Sequence, residues 1–334
     1  MKVLVTGGAG YIGSAICSML IDNGHTPVIL DNLSVGMQEF VEGRIFYKGD
    51  IADKNTITQI KEEHPDIDSC VHCAALIVVP ESVLLPYEYY TENVVKSIAL
   101  FKNLKEIGIG KVLFSSSASI YDDVNNFVVD EISPLNPRSP YARTKYMMEM
   151  VLSDFCLAYG MQGIALRYFN PIGNDPKLRS GLYHKESTHV LGKLLETVEN
   201  EGKVFTVTGT GWPTRDGSGI RDYIHLWDLA AAHLAAILNF DSIFGGKPGY
   251  EVINIGRGDG VTVIELLKAF ETVYGKKLNV AYSDPRPGDV AGCYTDAQKA
   301  KELLDWQAEY SIEDAIDSAL KWIAHRSKVL KSFK

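Results

Sequence analysis

Strand-like and helical patterns alternate along the first half of the chain. Strands are predicted at 3–6, 27–30, 44–49, 69–74, 111–116 and 163–168. Amphipathic helical patterns lie between them, at 11–23, 53–64, 87–107 and 139–159. Strands that alternate with helices in this way form a parallel sheet covered on both faces. The pattern therefore predicts an α/β fold with a doubly wound, Rossmann-like parallel sheet.

A glycine-rich turn follows the first predicted strand. Gly7, Gly10 and Gly13 have a spacing at which the first permits a tight turn, the second lets the backbone approach a pyrophosphate, and the third allows close packing of helix on strand. The helix that begins there directs free N–H groups at a phosphate. Asp31 follows about 20 residues later, where a carboxylate binds the adenosine ribose and repels a 2′-phosphate. This arrangement favours NAD; the alternative for Asp31 alone is a turn residue.

The character of the chain changes after Asn170, where Pro, Gly and charged residues become frequent over 171–185. Helical patterns at 188–200, 227–239, 262–274 and 312–324 then alternate with strand-like runs at 205–208, 252–255 and 278–282. We predict an NAD-binding domain over 1–170, to which 222–258 returns. The remainder, 171–221 and 259–334, is predicted to form a smaller C-terminal α/β lobe that binds the substrate. Ligands of such sheets lie beyond the carboxyl ends of the strands.

Composition narrows the range of partners and of compartments. The chain has 334 residues, is 46% hydrophobic and carries a formal net charge of −9, which disfavours nucleic acid as a partner. No apolar run approaches the roughly 18 residues of a membrane span, so no membrane partner is expected. Five cysteines in apolar segments are typical of a reducing compartment, and we expect a cytoplasmic protein. Cys70 and Cys73 have redox spacing, but their apolar surroundings favour packing over redox or zinc chemistry.

Hydroxyl groups cluster after the strand predicted at 111–116, where Ser115, Ser117 and Ser119 occur together. Taken alone, such a cluster is a polar loop. Tyr141 and Lys145 are four residues apart on a predicted helix, so they share a face and the ammonium can stabilise a phenolate. A tyrosine of lowered pKa serves as a base near neutral pH. Together with the glycine-rich dinucleotide turn, the hydroxyl cluster and the Tyr–Lys pair indicate a catalytic site.

The order of short motifs resembles that of the extended short-chain dehydrogenase/reductase family and, within it, the UDP-glucose (UDP-galactose) 4-epimerases. The motifs lie at 6–14, 31–34, 49–51, 72–75, 80–82, 115–118, Tyr141 with Lys145, 167–171, 213–217 and 221–225. The resemblance implies an isomerase with tightly held NAD, which takes a hydride from C4 of a UDP-hexose and returns it to the other face. It also implies that Tyr141 is the base, that Lys145 lowers its pKa and binds the nicotinamide ribose, and that Ser117 bonds the reacting oxygen.

The resemblance assigns further residues to the two ligands. Those implied for NAD are Gly7, Gly10, Tyr11, Ile12, Gly13, Asp31, Asn32, Ser34, Asp50, Ile51, Ala74, Asn93, Ser115, Tyr141, Lys145 and Tyr168. Those implied for the UDP-sugar are Ser117, Ser119, Asn170, His189, Val190, Thr206, Arg221, Arg286, Asp289 and Cys293. No metal site is implied. An arginine fork suits a diphosphate; without the resemblance, Arg221 indicates a surface ion pair and 286–289 a turn.

Several positions depart from the 4-epimerase pattern. Ile77 stands in place of a lysine near the cofactor, His189 in place of an asparagine on the substrate side, and Asp122 in place of a glycine. Cys293 stands where epimerases restricted to glucose and galactose resemble one another in carrying a tyrosine. We therefore predict a wider pocket with room for an N-acetyl group; the alternative is that the neighbouring Tyr294 fills the gap.

Three functions stay open at this point. A nucleotide-sugar 4-epimerase that acts on UDP-glucose and UDP-galactose, and also on UDP-GlcNAc and UDP-GalNAc, is favoured. The second is a UDP-hexuronate 4-epimerase, dehydratase or decarboxylase of the same family; a dehydratase needs acids after the serine cluster, and 118–120 offers none. The third is a non-catalytic NAD-binding regulator, which has no need of a proton relay.

The resemblance also implies a homodimer. Similar proteins pair the helices predicted here at 87–107 and 139–159 across a two-fold axis as a four-helix bundle. The candidates for exposed apolar residues on these helices are Leu100, Leu104, Met147 and Val151.

Overall fold

The computed structural model describes residues 1–183, 187, 189–200, 202–285 and 290–331. Its strands are β1 (Lys2–Thr6), β2 (Thr26–Asp31), β3 (Ile45–Lys48), β4 (Ser69–His72), β5 (Lys111–Ser115), β6 (Val128–Val129), β7 (Gln162–Tyr168), β8 (Asn170–Ile172), β9 (Phe205–Thr208), β10 (Ile220–His225), β11 (Gly249–Ile255), β12 (Gly260–Thr262), β13 (Val280–Ser283) and β14 (Tyr294–Thr295). Its α-helices are α1 (Tyr11–Asp22), α2 (Lys54–Glu63), α3 (Val79–Leu84), α4 (Pro86–Tyr90), α5 (Lys96–Glu106), α6 (Pro140–Tyr159), α7 (Val190–Glu199), α8 (Leu226–Leu238), α9 (Phe240–Phe244), α10 (Val263–Tyr274), α11 (Gln298–Leu304) and α12 (Ile312–Val329).

Seven parallel strands form the main sheet, in the order β11-β7-β5-β4-β1-β2-β3. The chain moves outward from β1 to β3 and then returns to build β4, β5, β7 and β11 on the other side of β1. The direction of winding therefore reverses between β1 and β4, which is the point where ligands bind in such sheets. The predicted doubly wound parallel sheet is confirmed.

Each face of this sheet buries its own apolar cluster. Val3 and Val5 of β1 face α1 and α8, whereas Leu4 between them faces α2, α5 and α6, because successive side chains of a strand point to opposite faces. Both clusters are fully covered, as a parallel sheet requires. They fix the edge of the sheet at which the site lies.

Helix ends follow local sequence signals. Asp53 caps α2 by accepting a hydrogen bond from the Asn55 N–H. Ser139 caps α6 in the same way, and Pro140 occupies the first turn, where no N–H is required. Thr262 and Glu265 form a reciprocal capping box on α10. The Ser139 cap sets where the catalytic helix α6 begins, one residue before Tyr141.

The helix predicted at 87–107 is present, but its hydrogen-bonding pattern is irregular. It consists of α4, a π-helical turn at Thr91–Val95, and α5. The π turn places Asn93 inward, where its amide bonds the backbone of Leu76 and the Thr144 hydroxyl. The π turn thus accompanies the hydrogen bonds of the buried Asn93 side chain. The prediction for 312–324 was short, because α12 continues to Val329.

Smaller sheets build the second lobe. The strands β8 and β10 pair in parallel, β12 adds to β10 antiparallel, and β9 pairs with β13. Helices α7, α10 and α12 cover a third apolar cluster there. Strand β11 lies in the main sheet, and Ala300 and Trp306 pack in the cluster of α1 and α8. The residues of the predicted 259–334 segment are thus shared between the two layers.

Candidate active site

The glycine-rich turn has the geometry that its spacing predicts. Gly7 has a φ of +74°, and a Cβ there would lie 2.6 Å from the Ala74 nitrogen. A Cβ on Gly13 would lie 2.2 Å from the carbonyl oxygen of Gly7. Gly10 is the N-cap of α1 and has no side chain to accept a hydrogen bond. The first N–H groups of the helix can therefore donate to a ligand. This cradle is one that only glycines permit, and it suits a pyrophosphate.

Asp31 ends β2 beside this turn and is buried. Its Oδ2 accepts a hydrogen bond from the Ala9 N–H at 3.0 Å, and its Oδ1 accepts one from the Leu33 N–H at 2.8 Å. Asn32 accepts a hydrogen bond from the Ser34 N–H at 2.9 Å. The carboxylate is therefore fixed against the glycine turn, and the loop beyond it is tightly folded. Tyr11 and Ile12 open α1, and the Tyr11 hydroxyl donates to the carbonyl of Gly173 in the second lobe.

Ser117, Tyr141 and Lys145 meet beyond the carboxyl end of β5. The Ser117 hydroxyl lies beside the Tyr141 phenol. It donates to the Ser119 Oγ at 3.0 Å and accepts from the Ser119 N–H at 3.2 Å. The Lys145 Nζ donates to the carbonyl of Ser115 at 2.8 Å and lies 5.9 Å from the centre of the Tyr141 ring. All three residues expose less than a tenth of their surface. The serine, tyrosine and lysine that the sequence predicted as one site are thus adjacent.

Burial sets the protonation of this group. It raises the pKa of Tyr141, and Ser117 opposes that rise. The lowered pKa that the spacing of Tyr141 and Lys145 predicted is therefore not found, because burial outweighs the neighbouring groups. Burial lowers the pKa of Lys145 to about 8, because an ammonium loses hydration in the interior. A hydroxyl partner and a nearby cation are the two means by which a buried tyrosine becomes a usable base.

A chain of buried hydrogen bonds supports Ser115, and sequence reasoning missed it. The Ser115 Oγ lies 3.1 Å from the Cys73 Sγ and 3.2 Å from the Nε2 of His233. The other ring nitrogen of His233 donates to the carbonyl of Leu229 at 2.8 Å, so Nε2 accepts from Ser115. Tyr168 also bonds Ser115. These residues come from separate elements, and no spacing in the sequence relates them.

Glu149 and Arg167 form a second missed element of the site. They make a buried ion pair with an N–O distance of 2.7 Å. Glu149 also accepts a hydrogen bond from Ser116, and Arg167 donates to the Tyr121 hydroxyl at 3.0 Å. The pair therefore ties the serine loop to α6. Glu149 follows Lys145 by four residues, so helical periodicity alone could have placed it on the catalytic face.

The remaining cofactor candidates lie along the same edge of the sheet. The Asp50 carboxylate forms an ion pair with the Lys96 ammonium at 2.6 Å. Its neighbour Ile51 is buried. Ala74 contacts the glycine turn through its backbone. Asn93 has its amide satisfied by Leu76 and Thr144, so its side chain positions the loop after β4.

The substrate candidates line the facing lobe. Asn170 begins β8, and Thr206 is exposed on β9. His189 caps α7, exposed, directly before Val190. Arg221 donates to the carbonyls of Ile220 and Ala291, each at 2.7 Å. Arg286 and Asp289 lie outside the described residues.

Cys293 packs among apolar residues next to the catalytic loop. Its neighbours include Ala118, Val129 and Phe169. Tyr294 turns elsewhere: its ring lies against Gly260, where a Cβ would come within 2.4 Å of a ring carbon. The tyrosine therefore does not fill the space beside Cys293.

The described residues contain neither a group suited to a metal ion nor a membrane-spanning helix. No group of three or more His, Cys, Asp or Glu side chains in this part of the chain is placed to hold a metal ion. None of its helices is long and apolar enough to cross a bilayer.

A glycine cradle and a buried serine, tyrosine and lysine thus share one edge of a doubly wound sheet. This combination defines a dinucleotide-dependent enzyme of the Rossmann type. Residues 3–256 match the model of the NAD dependent epimerase/dehydratase family. The chain belongs to this family.

Relatives are similar over nearly the whole length. A UDP-glucose 4-epimerase from Rhizobium meliloti (strain 1021) is 37% identical over 327 residues, which cover 98% of each chain. A UDP-glucose-4-epimerase structure from Stenotrophomonas maltophila, with bound NAD and formylated UDP-arabinopyranose, superposes with a TM-score of 0.93 at 33% identity over 98% of this chain and 99% of that one. The UDP-Glc/GlcNAc 4-epimerase from Campylobacter jejuni gives a TM-score of 0.81 at 33% identity, covering 97% and 99% of the two chains.

Proposed function

We propose that the protein is a UDP-hexose 4-epimerase, an isomerase that interconverts UDP-glucose and UDP-galactose with NAD as its cofactor. The observation that carries this proposal is the cluster of Ser117, Tyr141 and Lys145 beside the glycine cradle. A base, a hydroxyl partner and a buried ammonium next to a dinucleotide site are what reversible oxidation of a secondary alcohol requires. Similarity to UDP-glucose 4-epimerases over nearly the full length supports the same reaction.

The cofactor fits the carboxyl edge of the main sheet. Residues 7–13 bind the pyrophosphate, Asp31 binds the adenosine ribose together with Asn32 and Ser34, and Lys145 binds the nicotinamide ribose. The further cofactor residues in this proposal are Asp50, Ile51, Ala74, Asn93, Ser115 and Tyr168. When bound, NAD supplies the acceptor for the C4 hydride and the donor that returns it.

Tyr141 moves the proton of the reaction. Its phenolate accepts the proton of the C4 hydroxyl during oxidation and returns it to the same oxygen during reduction. Ser117 donates a hydrogen bond to that oxygen, and its contact with Tyr141 keeps the two groups in register. The Lys145 ammonium, fixed on the Ser115 carbonyl, stabilises the phenolate through its charge. Over a full cycle the sugar undergoes no net oxidation or reduction, because the hydride that leaves C4 returns to C4.

The two parts of the substrate need unequal contacts. The 4-keto sugar turns between the two half-reactions, so a specific contact to the hexose would favour one epimer. Binding energy therefore comes from the nucleotide, with Arg221 and Asn170 as anchors. The family resemblance adds Arg286 and Asp289, which lie outside the described residues. Ser119, His189, Val190 and Thr206 complete the proposed lining.

The small side chain of Cys293 supports a second substrate pair, UDP-GlcNAc and UDP-GalNAc. The cysteine is small, and Tyr294 packs on Gly260 instead of closing the space. Among the other members of the family, a dehydratase would need acids beside C5 and C6, and the segment after Ser117 (Ala118–Ile120) carries none.

We further propose a homodimer and a cytoplasmic location. Exposed apolar residues on α3, α4, the π turn, α5 and α6 support the dimer; they include Leu84, Tyr87, Val95, Ile98, Met150 and Leu157. All five cysteines are free, which supports a reducing compartment.

The proposal is tested by incubating the purified protein with UDP-galactose and no added cofactor. We expect UDP-glucose to form, because the hydrogen returns to the carbon it left. Tyr141→Phe should lower turnover by about two to four powers of ten, since a general base is lost, while NAD stays bound. Accumulation of free NADH or of a keto product would refute the epimerase assignment. Activity of Tyr141→Phe within a few-fold of the parent would show that another group is the base.

A further inference from the structure

The segment Val329–Lys331, which follows the body of α12, reaches across to the first domain. Leu330 is fully buried against Phe40, together with Trp322 and Tyr183. The Phe40 ring lies 5.6 Å from that of Tyr183 in an edge-to-face arrangement and 6.2 Å from that of Trp322. An aromatic cluster therefore joins the second lobe to the segment Gln38–Val41, which follows the Asp31 loop.

Polar contacts complete this junction. The Lys331 backbone N–H donates to Glu39 at 3.0 Å, and its ammonium lies 2.8 Å from Glu42. The first bond fixes the backbone beside Leu330 directly to the 38–41 helix. The second joins two exposed side chains and contributes little by itself.

The Asp31 loop is anchored at its other end on the glycine turn. The Met37 N–H donates to the carbonyl of Ala9 at 2.9 Å, and the Ala9 N–H donates to Asp31 at 3.0 Å. Gly36 packs so closely on Ala9 that a Cβ would lie 2.7 Å from the alanine methyl carbon. The loop over 32–36 is thus a short bridge between Ala9 and the helix that carries Phe40.

Tyr183 shares the aromatic cluster with Phe40 and Leu330. Burial raises the pKa of Tyr183 to about 12, and the charge of Asp31 adds to that rise. The second lobe therefore reaches the segment that follows the Asp31 loop through two residues, Tyr183 and Leu330.

We propose that Leu330, Lys331 and Trp322 form a clasp that positions the Asp31 loop and retains NAD. This inference rests on the proposed function, because it takes residues 31–34 as the ribose site. When the loop is held in its binding conformation, nearly all molecules can bind the cofactor, and the apparent affinity is not reduced by other loop conformations. Releasing the clasp lets the loop move away, which raises the apparent dissociation constant for NAD and speeds its release. The clasp leaves Tyr141 and Ser117 untouched, so it acts on the cofactor and not on the proton transfer.

The test compares NAD release from four variants and the parent. Leu330→Ala removes the buried anchor. Glu39→Ala removes the carboxylate that accepts the Lys331 N–H; this carboxylate lies at the surface, so its loss leaves the core intact. Leu330→Met keeps the volume of the anchor. Leu267→Ala is the matched control, because Leu267 is a similarly buried leucine of the same lobe that packs in the α10 cluster away from the loop. Release is followed as loss of bound NAD after rapid dilution, with turnover measured with and without added NAD.

We expect at least tenfold faster release from Leu330→Ala and a several-fold increase from Glu39→Ala. Leu330→Met and Leu267→Ala should stay within twofold of the parent. Saturating NAD should restore the kcat of Leu330→Ala. Release within twofold of the parent in both Leu330→Ala and Glu39→Ala would overturn the clasp, and so would equally fast release from Leu267→Ala. A parent that holds no NAD and binds none in calorimetry would instead refute the proposed function, and the clasp with it.

Discussion

Neighbouring residues on the segment after Gly292 have different surroundings. Tyr294 pairs its backbone with Val128 in a short parallel bridge, and its ring covers Gly260. Cys293 points the other way, into the small cluster beside the serine loop. Burial raises the pKa of its thiol to about 11, so it stays protonated and acts as a small apolar side chain.

Cys293→Tyr is therefore expected to separate the two substrate series. The added ring should exclude the N-acetyl group by steric clash and lower kcat/KM for UDP-GlcNAc by about 10- to 200-fold or more, with a change of only a few-fold for UDP-glucose. Cys293→Ala is the matched control and should keep both activities. The measurement is kcat/KM for each sugar. A parent that turns over UDP-glucose and gives no reaction with UDP-GlcNAc would contradict the wider pocket.

Residues within one element were the predictable part of the site. Tyr141 and Lys145 share a face because of helical periodicity, and the glycine spacing describes a single turn. His233 and Cys73 could not be predicted, because their contact with Ser115 depends on three elements that are remote in sequence. The assignment of Asn93 to the cofactor is modified by its hydrogen bonds, since these make it a positioning residue for the loop at Leu76.

At the scale of elements, α5 and α6 differ from the sequence prediction in which apolar residues they expose. Leu100 and Leu104 were predicted on the surface and are fully buried in the main core, because the π turn at Thr91–Val95 shifts the register of the helix that follows it. Val151 is partly buried against the same core, whereas Met147 is exposed as predicted. Periodicity cannot reveal such a shift, because it assumes an unbroken helix.

The exposed stripe on α6 consists of Met147, Met150 and Leu157, which lie on one face of the helix. If this stripe pairs with its own copy, a charge within it should dissociate the dimer. We expect the parent to sediment as a dimer at micromolar concentration and Met150→Glu to sediment as a monomer. Ile132→Glu is the control, because Ile132 is 91% exposed in a loop away from α6 and should leave the dimer intact. A parent that is monomeric at this concentration would exclude the proposed assembly.

At the scale of the whole molecule, three buried histidines make stability depend on pH. Burial lowers the pKa of His72 to about 3 and those of His225 and His233 to about 4. Each is neutral in the folded state and is protonated after unfolding below its ordinary pKa of 6.5. The unfolded chain therefore binds more protons, so stability falls as the pH drops from about 6.5 toward 4.

Between pH 7 and pH 5, each histidine should cost about 2 kcal/mol of the free energy of unfolding. Urea denaturation at the two pH values measures this difference. Burial raises the pKa of Asp222 and of Asp228 to about 6, and their protonation in the folded state offsets part of the loss. His233→Gln should therefore reduce the loss by the share of one histidine, about 2 kcal/mol. Lys321→Ala, which alters only an exposed ion pair on α12, should leave it unchanged. Equal stability of the parent at both pH values would contradict this account.

The architecture was predictable where apolar runs and helical patterns are long. The seven parallel strands include the return of β11 to the main sheet, because 252–255 is an apolar run after a clear helix. The sheet of β8, β10 and β12 was missed, since its strands have three to six residues and owe their pairing to contacts between distant segments. The packing of Leu330 on Phe40 was likewise beyond local pattern.

Strand β11 has a further consequence for the order in which the protein is made. It covers β7 in the finished sheet, and α8 covers the apolar face of α1, but both are translated after the other six strands of the main sheet. While residues 226–255 are still untranslated, β7 is an open edge beside uncovered apolar side chains, and such edges pair readily with other chains. The incomplete chain on the ribosome is therefore the form most exposed to aggregation. Slow translation between residues 170 and 226 should lower the yield of folded protein more than slow translation elsewhere.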